Sequence, residues 1–278
     1  MKNEFEYYLG FADKIEGWFE PEAAEVIFLF DRIQKEEEIG GDIFEIGVHH
    51  GKMSLCLGLL LADEEKLSVC DIFARQEYNI SESGYGSKSI FLGNWRKYMD
   101  GAAEPEIFEK PSEELGISEI GSNYRIFSID GGHSAAETYA DLSLADNVII
   151  DHGIIIIDDY FDQSFPGVSE GVNKYLLNYA SLQPLAIFFN KMMLVKKGSY
   201  DFYREALYGY SFYNILNSRG YMISERDFYG VPAMTIRRYS PAQLFLKRSA
   251  AGVKKVFGDS LRGSRLHMYY KKLIKPGK

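Results

Sequence analysis

The sequence predicts a doubly wound α/β fold, and three observations carry that prediction. Apolar strand-like runs alternate with helical patterns from residue 42 to residue 197, the order that builds a mostly parallel sheet with helices on both faces. The run GIIIIDD at 153–159 shows no polar alternation, as expected of a strand covered on both sides. Two of the runs end in carboxylates, at Asp130 and at Asp158–Asp159. Neighbouring parallel strands would open those acids onto one edge of the sheet.

The elements follow in order. Residues 20–37 place Ala24, Ile27, Phe28 and Ile33 at helical spacing behind Pro21, which suits a first turn, and Gly40–Gly41 closes the helix. DIFEIGV (42–48) reads as a buried strand, GKMSLCLGLLLADEE (51–65) as the next helix and KLSVCDIF (66–73) as a second strand. Residues 74–89 are polar and Gly/Ser-rich, a loop long enough to act as a lid. A helix over 89–100, strands at 106–110 and 124–130, a helix from His133 to Ala145 and the strand at 153–159 come next. A helix over 167–179 and strands at 184–190 and 191–197 complete the pattern. Beyond Gly198 we expect a tyrosine-rich helix, a short strand at 231–238 and two basic helical stretches. The chain thus divides into a domain over 1–198 and an extension over 199–278.

Charge is unevenly spread. The 278 residues carry a net charge of −9, yet residues 237–278 hold 12 Lys/Arg against one acid, Asp259. The first 236 therefore hold 19 basic and 39 acidic residues. An acidic body argues against nucleic-acid binding. In the basic end, Leu244, Leu246, Val253 and Phe257 mix with Lys247, Arg248, Lys254 and Lys255. Three readings fit: contact through 243–278 with an anionic membrane or lipid-linked glycan, contact with the acidic body (its own, or a second subunit's in a homo-oligomer), and a solvated face. The apolar runs are too short to cross a bilayer, and MKNEFEYYLGFADK lacks the apolar stretch of a secretory signal. Cys56 and Cys70 make neither a disulfide framework nor a zinc motif. The cytoplasm is the expected compartment.

A nucleoside pocket is legible at the first strand. It ends Glu45-Ile-Gly47-Val-His-His-Gly51, and glycine at a strand-to-helix turn lets a ligand approach the backbone beside free helix N–H groups. Asp71, at the end of the second strand, can accept from both ribose hydroxyls. The spacing GxxxG differs from the GxGxxG of dinucleotide sites, which disfavours a nicotinamide-dependent reductase. Ser112 is placed either to touch an adenine edge or to cap a short helix. At the second cluster, Asp130, Asp158 and Asp159 suit a hard divalent cation and His133 suits a base, with strand-end capping and a helix-start role as the alternatives. Tyr78, Tyr85 and Trp95 either line an acceptor site or pack at the surface. His49, His50, His152 and His267 are expected to be non-catalytic.

EIGVHHG, VCDIF, PSEEL, IDGGH and IIIIDDY, in this order and spacing, resemble the class I S-adenosylmethionine-dependent methyltransferases, and more closely the macrocin O-methyltransferase-like branch of small-molecule O-methyltransferases. GWFEPEAAEVIFLF, QEYNISESGYG and FPGVSEGVNKYL extend the resemblance over roughly residues 15–198. It implies a Rossmann-like sheet of order 3-2-1-4-5-7-6 with an antiparallel seventh strand. It implies Glu45, Gly47, Gly51, Asp71, Ser112 and Asp130 around S-adenosyl-L-methionine. It further implies Mg²⁺ on Asp130, Asp158 and Asp159, with His133 and Asp130 as the catalytic pair. The chain departs from the branch at Asp151-His152-Gly153, where a glycine pair is usual, and at the bulky His49–His50. Asn190–Lys191 resembles a recurring pair in the branch. The acceptor is expected to be a small molecule with adjacent hydroxyls, a sugar or glycan first and a catechol-like phenol second. A protein that binds the cofactor without turnover is the alternative.

Overall fold

The computed structural model describes residues 2–179, 181–240 and 243. Two helices, α1 (Lys2–Leu9) and α2 (Pro21–Glu36), precede strand β1 (Asp42–Ile46). Then follow α3 (Lys52–Gly58), β2 (Leu67–Cys70), α4 (Lys88–Tyr98), β3 (Glu106–Phe108), α5 (Ile117–Ile120), β4 (Tyr124–Ile129), α6 (Ala135–Val148) and β5 (Ile149–Ile157). The chain continues through α7 (Pro166–Asn178), β6 (Leu182–Phe188), β7 (Lys191–Lys196), α8 (Tyr200–Tyr208), α9 (Tyr210–Ser218), β8 (Tyr221–Phe228) and β9 (Val231–Arg238).

The strands form one sheet of order β3-β2-β1-β4-β5-β7-β6-β9-β8. Its first seven positions are the expected 3-2-1-4-5-7-6, with β7 antiparallel to both β5 and β6. Side chains alternate between two cores. Ile43, Ile126, Ile154 and Ile156 face the layer of α2, α3, α8 and α9, whereas Phe44, Phe127, Ile155 and Ile157 face that of α6 and α7. Both layers are apolar, which is why the strands read as unbroken apolar runs.

Several boundaries differ from expectation for identifiable reasons. The first helix after β1 stops at Gly58, not residue 65. Glu65 gathers the N–H groups of Ala62 (2.8 Å) and Gly41 (2.9 Å) and folds 62–65 into a turn. Helix α6 starts at Ala135 because Ser134 and Glu137 form a reciprocal capping box. Strand β5 starts at Ile149, and only one glycine is needed there: a Cβ on Gly153 would lie 2.2 Å from Ile149 Cγ1. Past Gly198, α8 and α9 lead to an unpredicted strand, β8, which turns at Tyr229–Gly230 (φ 54° and 75°) into β9. Strand β9 then pairs parallel to β6, so this hairpin extends the same sheet. The basic segment 244–278, with its membrane, glycan and subunit readings and His267, lies outside the described residues, as do 241 and 242. Among the described residues, no helix is long and apolar enough to cross a membrane.

One buried cation ties the strand ends opposite the acids. Arg125 of β4 is about 1% exposed. Its Nε and Nη2 donate to Glu65 at 2.8 and 2.9 Å, Nη1 to Gln34 Oε1 at 2.8 Å and Nη2 to the Leu60 carbonyl at 2.8 Å. Asp31 Oδ1 lies 2.9 Å from Nη1. Arg125 thus makes four hydrogen bonds, and the Asp31 carboxylate adds an ion pair. Arg125→Met should strand Asp31 and Glu65 in the interior and cost about 3–5 kcal/mol. A urea midpoint within error of the parent's would show that the network contributes nothing net.

Candidate active site

A cavity of about 680 Å³ opens at the carboxyl edge of β1, β2, β4 and β5. Glu45, Gly47, Asp71 and Ser112 line one half of it, and Asp130, His133, Asp158 and Asp159 the other.

The first half is built around a turn that only glycine can make. Gly47 has φ +84°, and a Cβ there would fall 1.8 Å from the Asp130 carbonyl oxygen. Gly51 is also left-handed, at φ +87°, but a Cβ on it would meet Phe91 at 2.4 Å. It serves the packing of α3 against α4 and does not line the cavity. Asp71 Oδ2 accepts from the backbone N–H groups of Val48 (2.6 Å) and His49 (2.8 Å), so it shapes the turn while facing the same cavity. Glu45 is buried and accepts from Ser54 Oγ. Burial, opposed by that bond, pushes its pKa up to about 8. Ser112 opens a 3₁₀ turn over Ser112–Glu114 and caps no helix through its side chain. Beneath it, burial pushes the Asp141 carboxyl up to about 7, with Ser112 favouring the charged form.

In the second half, single ligand atoms of Asp130, His133 and Asp159 all lie within 4.8 Å of one another. His133 Nε2 is 3.2 Å from Asp159 Oδ2, and its Nδ1 is 3.1 and 3.0 Å from the hydroxyls of Ser81 and Ser83. A carboxylate only accepts, so a hydrogen on Nε2 would face Asp159 and leave Nδ1 to accept from the serine hydroxyls. The ring stacks on Phe165 at 3.9 Å. Asp159 sits at φ 56° and takes a 2.7 Å bond from Asn190 Nδ2, itself at φ 67°. Two non-glycine residues held left-handed in mutual contact mark a strained, over-determined corner.

Asp158 points elsewhere. Its carboxylate pairs with the Lys191 ammonium, which is about 1% exposed. Burial disfavours the Lys191 cation, yet Asp158 and Asp130 together hold its pKa above the ordinary value. Burial first and Asp158 second push Asp130 well above the usual carboxylate range. The acid cluster is therefore Asp130 and Asp159 with His133, and Asp158 engages an internal cation.

Residues 44–160 match the family model described as a methyltransferase domain. Solved structures repeat its fold: the O-methyltransferase NovP (TM-score 0.51, 14% identity, 63% of this chain and 80% of that one). Cofactor-bound Rv0187 from MTB gives 0.52 at 11% identity, over 70% and 90% of the two chains. A protein from Corynebacterium glutamicum gives 0.51 at 11% identity, over 70% and 90%. No curated protein matches. The first seven positions of the sheet have the order of the Rossmann-like methyltransferase fold, and β9 and β8 extend it.

The methyltransferase domain is roofed by the long loop after β2. Residues 76–84 and Gly86 line the cavity, and Asn79 Nδ2 pins the loop by donating to Gln76 Oε1 (2.7 Å) and to the carbonyls of Ser83 and Gly84 (3.1 Å each). Tyr78 lines the cavity, whereas Tyr85 points to solvent and Trp95 is core, its Nε1 donating to the Ala103 carbonyl. Ser54, Ser81, Ser83 and Lys191 have no assigned role in the motif reading. The serines carry no signal beyond a polar loop and a helix turn, and Lys191 had only its place beside Asn190.

The raised Glu45 carboxyl sets a pH dependence for the ligand-free methyltransferase domain. The folded state binds the proton more tightly than the unfolded chain, so stability falls as pH rises from about 4.5 to about 8. Glu45→Gln removes that slope. It should make the protein more stable than the parent at pH 9, by on the order of a few kcal/mol, read as a higher thermal midpoint, and change little at pH 5. Equal midpoints at pH 9 would show that Glu45 ionises freely.

Proposed function

We propose that the protein is an O-methyltransferase that moves the methyl group of S-adenosylmethionine to a hydroxyl of a small molecule, with a divalent cation at Asp130 and Asp159. The observation that carries this reading is the junction of the two halves: the Asp130 carbonyl packs on Gly47 of the cofactor turn while Asp130 itself belongs to the acid cluster. The residues fit a cation. Three acids, Asp130, Asp158 and Asp159, crowd together with Lys191 and His133 beside them, and burial first and Asp158 second push the Asp130 carboxyl above its usual range. They also fit the cofactor, because Asp71, which accepts from the N–H groups of Val48, His49 and Phe73, keeps acceptor capacity on Oδ1.

When bound, the cofactor supplies an electrophilic methyl group and the cation lowers the pKa of the attacked hydroxyl. The protein's residues do the rest. Gly47 and Asp71 hold the turn open, and Glu45 presents a carboxyl to the cavity from the core. Asp159 fixes His133 through Nε2, so the proton leaving the acceptor is held at Nδ1 as an imidazolium stabilised by a neighbouring carboxylate. The 76–84 loop excludes water from the transfer axis. An acceptor with two adjacent oxygens fits a cation that orients both. A sugar or glycan hydroxyl is the preferred class and a catechol-like phenol the second.

Transfer to a panel of vicinal diols and phenols tests the reading. His133→Ala should lower kcat by about 10²–10⁴ while S-adenosylmethionine affinity, read by calorimetry, stays near the parent's. Asp159→Asn and excess chelator should both abolish transfer. Full activity in chelator would remove the cation from the mechanism. Tight cofactor binding with no transfer to any acceptor would identify a binding protein instead.

A further inference from the structure

The His49–His50 pair is the feature of the cofactor turn that methyl transfer leaves unused. His50 is 7% exposed, and its Nδ1 lies 3.4 Å from Glu16 Oε2. The two imidazole rings stand 3.9 Å apart. His49 Nδ1 is buried without a hydrogen-bond partner, with the Glu16 backbone beside it. One ligand atom from each of Glu16, His49 and His50 lies within 4.8 Å of the others. His49 holds this place at φ 53°, a conformation that β-carbon sterics disfavour. Burial first, and His50 second, hold the His49 ring below its ordinary pKa. A neutral ring is the ligand form of histidine.

We infer that Glu16, His49 and His50 form a transition-metal site, separate from the acid cluster, that takes an ion of the Zn²⁺ or Co²⁺ type. Two imidazoles and one carboxylate suit such ions, whereas Mg²⁺ prefers oxygen alone. Ligands on a zinc ion at about 2.0–2.1 Å must approach one another more closely than the present spacing. The Glu16 side chain is 75% exposed and has the freedom to close that gap. The ion joins two segments already in contact. Lys52 Nζ donates to the Gly17 carbonyl at 3.0 Å, and Trp18 leans on His49 with ring centroids 5.5 Å apart. Binding therefore staples the 16–18 segment to the cofactor turn at the cavity mouth.

The test uses the full chain, stripped with chelator and titrated with Co²⁺, then Zn²⁺. One equivalent of Co²⁺ should give visible bands of imidazole ligation that Zn²⁺ displaces, and Zn²⁺ should raise the melting temperature. Glu16→Gln and His50→Gln should each weaken this equivalent by at least about tenfold, and Asp159→Asn should leave it in place. Parent-like binding in either of the first two variants, or loss in Asp159→Asn alone, would overturn the site. Should His50→Gln fail to fold, the exposed Glu16 decides. The readout is metal binding, so it is independent of whether the chain transfers methyl groups.

Discussion

The site rests on one close approach between two backbones. Gly47 follows β1, Asp130 follows β4, and these strands are neighbours in the sheet. The Asp130 carbonyl sits where any side chain on residue 47 would have to be. That contact sets the distance between cofactor turn and acid cluster, and it holds because both strands are buried on two faces. Parallel pairing puts both carboxyl ends on one edge, and the register Ile46↔Ile129 puts the two strand ends level. Arg125 anchors the opposite end of β4 to α2 and to the turn before β2. The spacing of the reacting groups is therefore a property of the sheet and not of the loops.

Charge is the second constraint. Glu45, Asp130 and Asp158 lie in or beside the core and share one buried cation, Lys191, which itself contacts the face of Phe19 at 5.2 Å. Buried carboxylates without partners are disfavoured and take up protons. The raised pKa values of Glu45 and Asp130 follow from that. Such a site gains from any added positive charge, and a sulfonium or a divalent cation is positive where the site is short of it. The same imbalance that lowers the stability of the empty protein at alkaline pH favours the charged ligand.

Much of this was legible in the chain. The alternation of strands and helices, the Gly47 turn, Asp71 at the end of β2 and the placing of Asp130 and Asp159 at one sheet edge follow from apolar runs punctuated by glycine and acid, whereas the strand order came from the family resemblance. What was missed has separate causes. Asp158 and Asp159 follow the end of β5, and the left-handed backbone at Asp159 (φ 56°) separates the directions of the two carboxylates. Asp158 turns inward to Lys191, 33 residues on, while Asp159 turns to His133. A motif written as a pair hides that divergence. Gly51 looked like part of a ligand loop, but its neighbour is Phe91 of α4, a tertiary contact that spacing cannot show. Strand β8 was hidden by its polar run Ser224-Glu225-Arg226-Asp227, which lacks an apolar signal.

His133 connects the lid to the chemistry. Its Nδ1 meets Ser81 and Ser83 of the roof loop, its Nε2 meets Asp159, and its ring lies on Phe165 just ahead of α7. A base on an open loop would lose rotamer freedom each time it aligned with a substrate. Here the alignment is set by three elements before any acceptor arrives. In the proposed reaction the two serines occupy the nitrogen that the proton would reach, so an acceptor hydroxyl would have to replace their hydrogen bonds. On that reading substrate activation and the roof's own bonding would compete for a single nitrogen atom, which would couple the position of the loop to the presence of the acceptor.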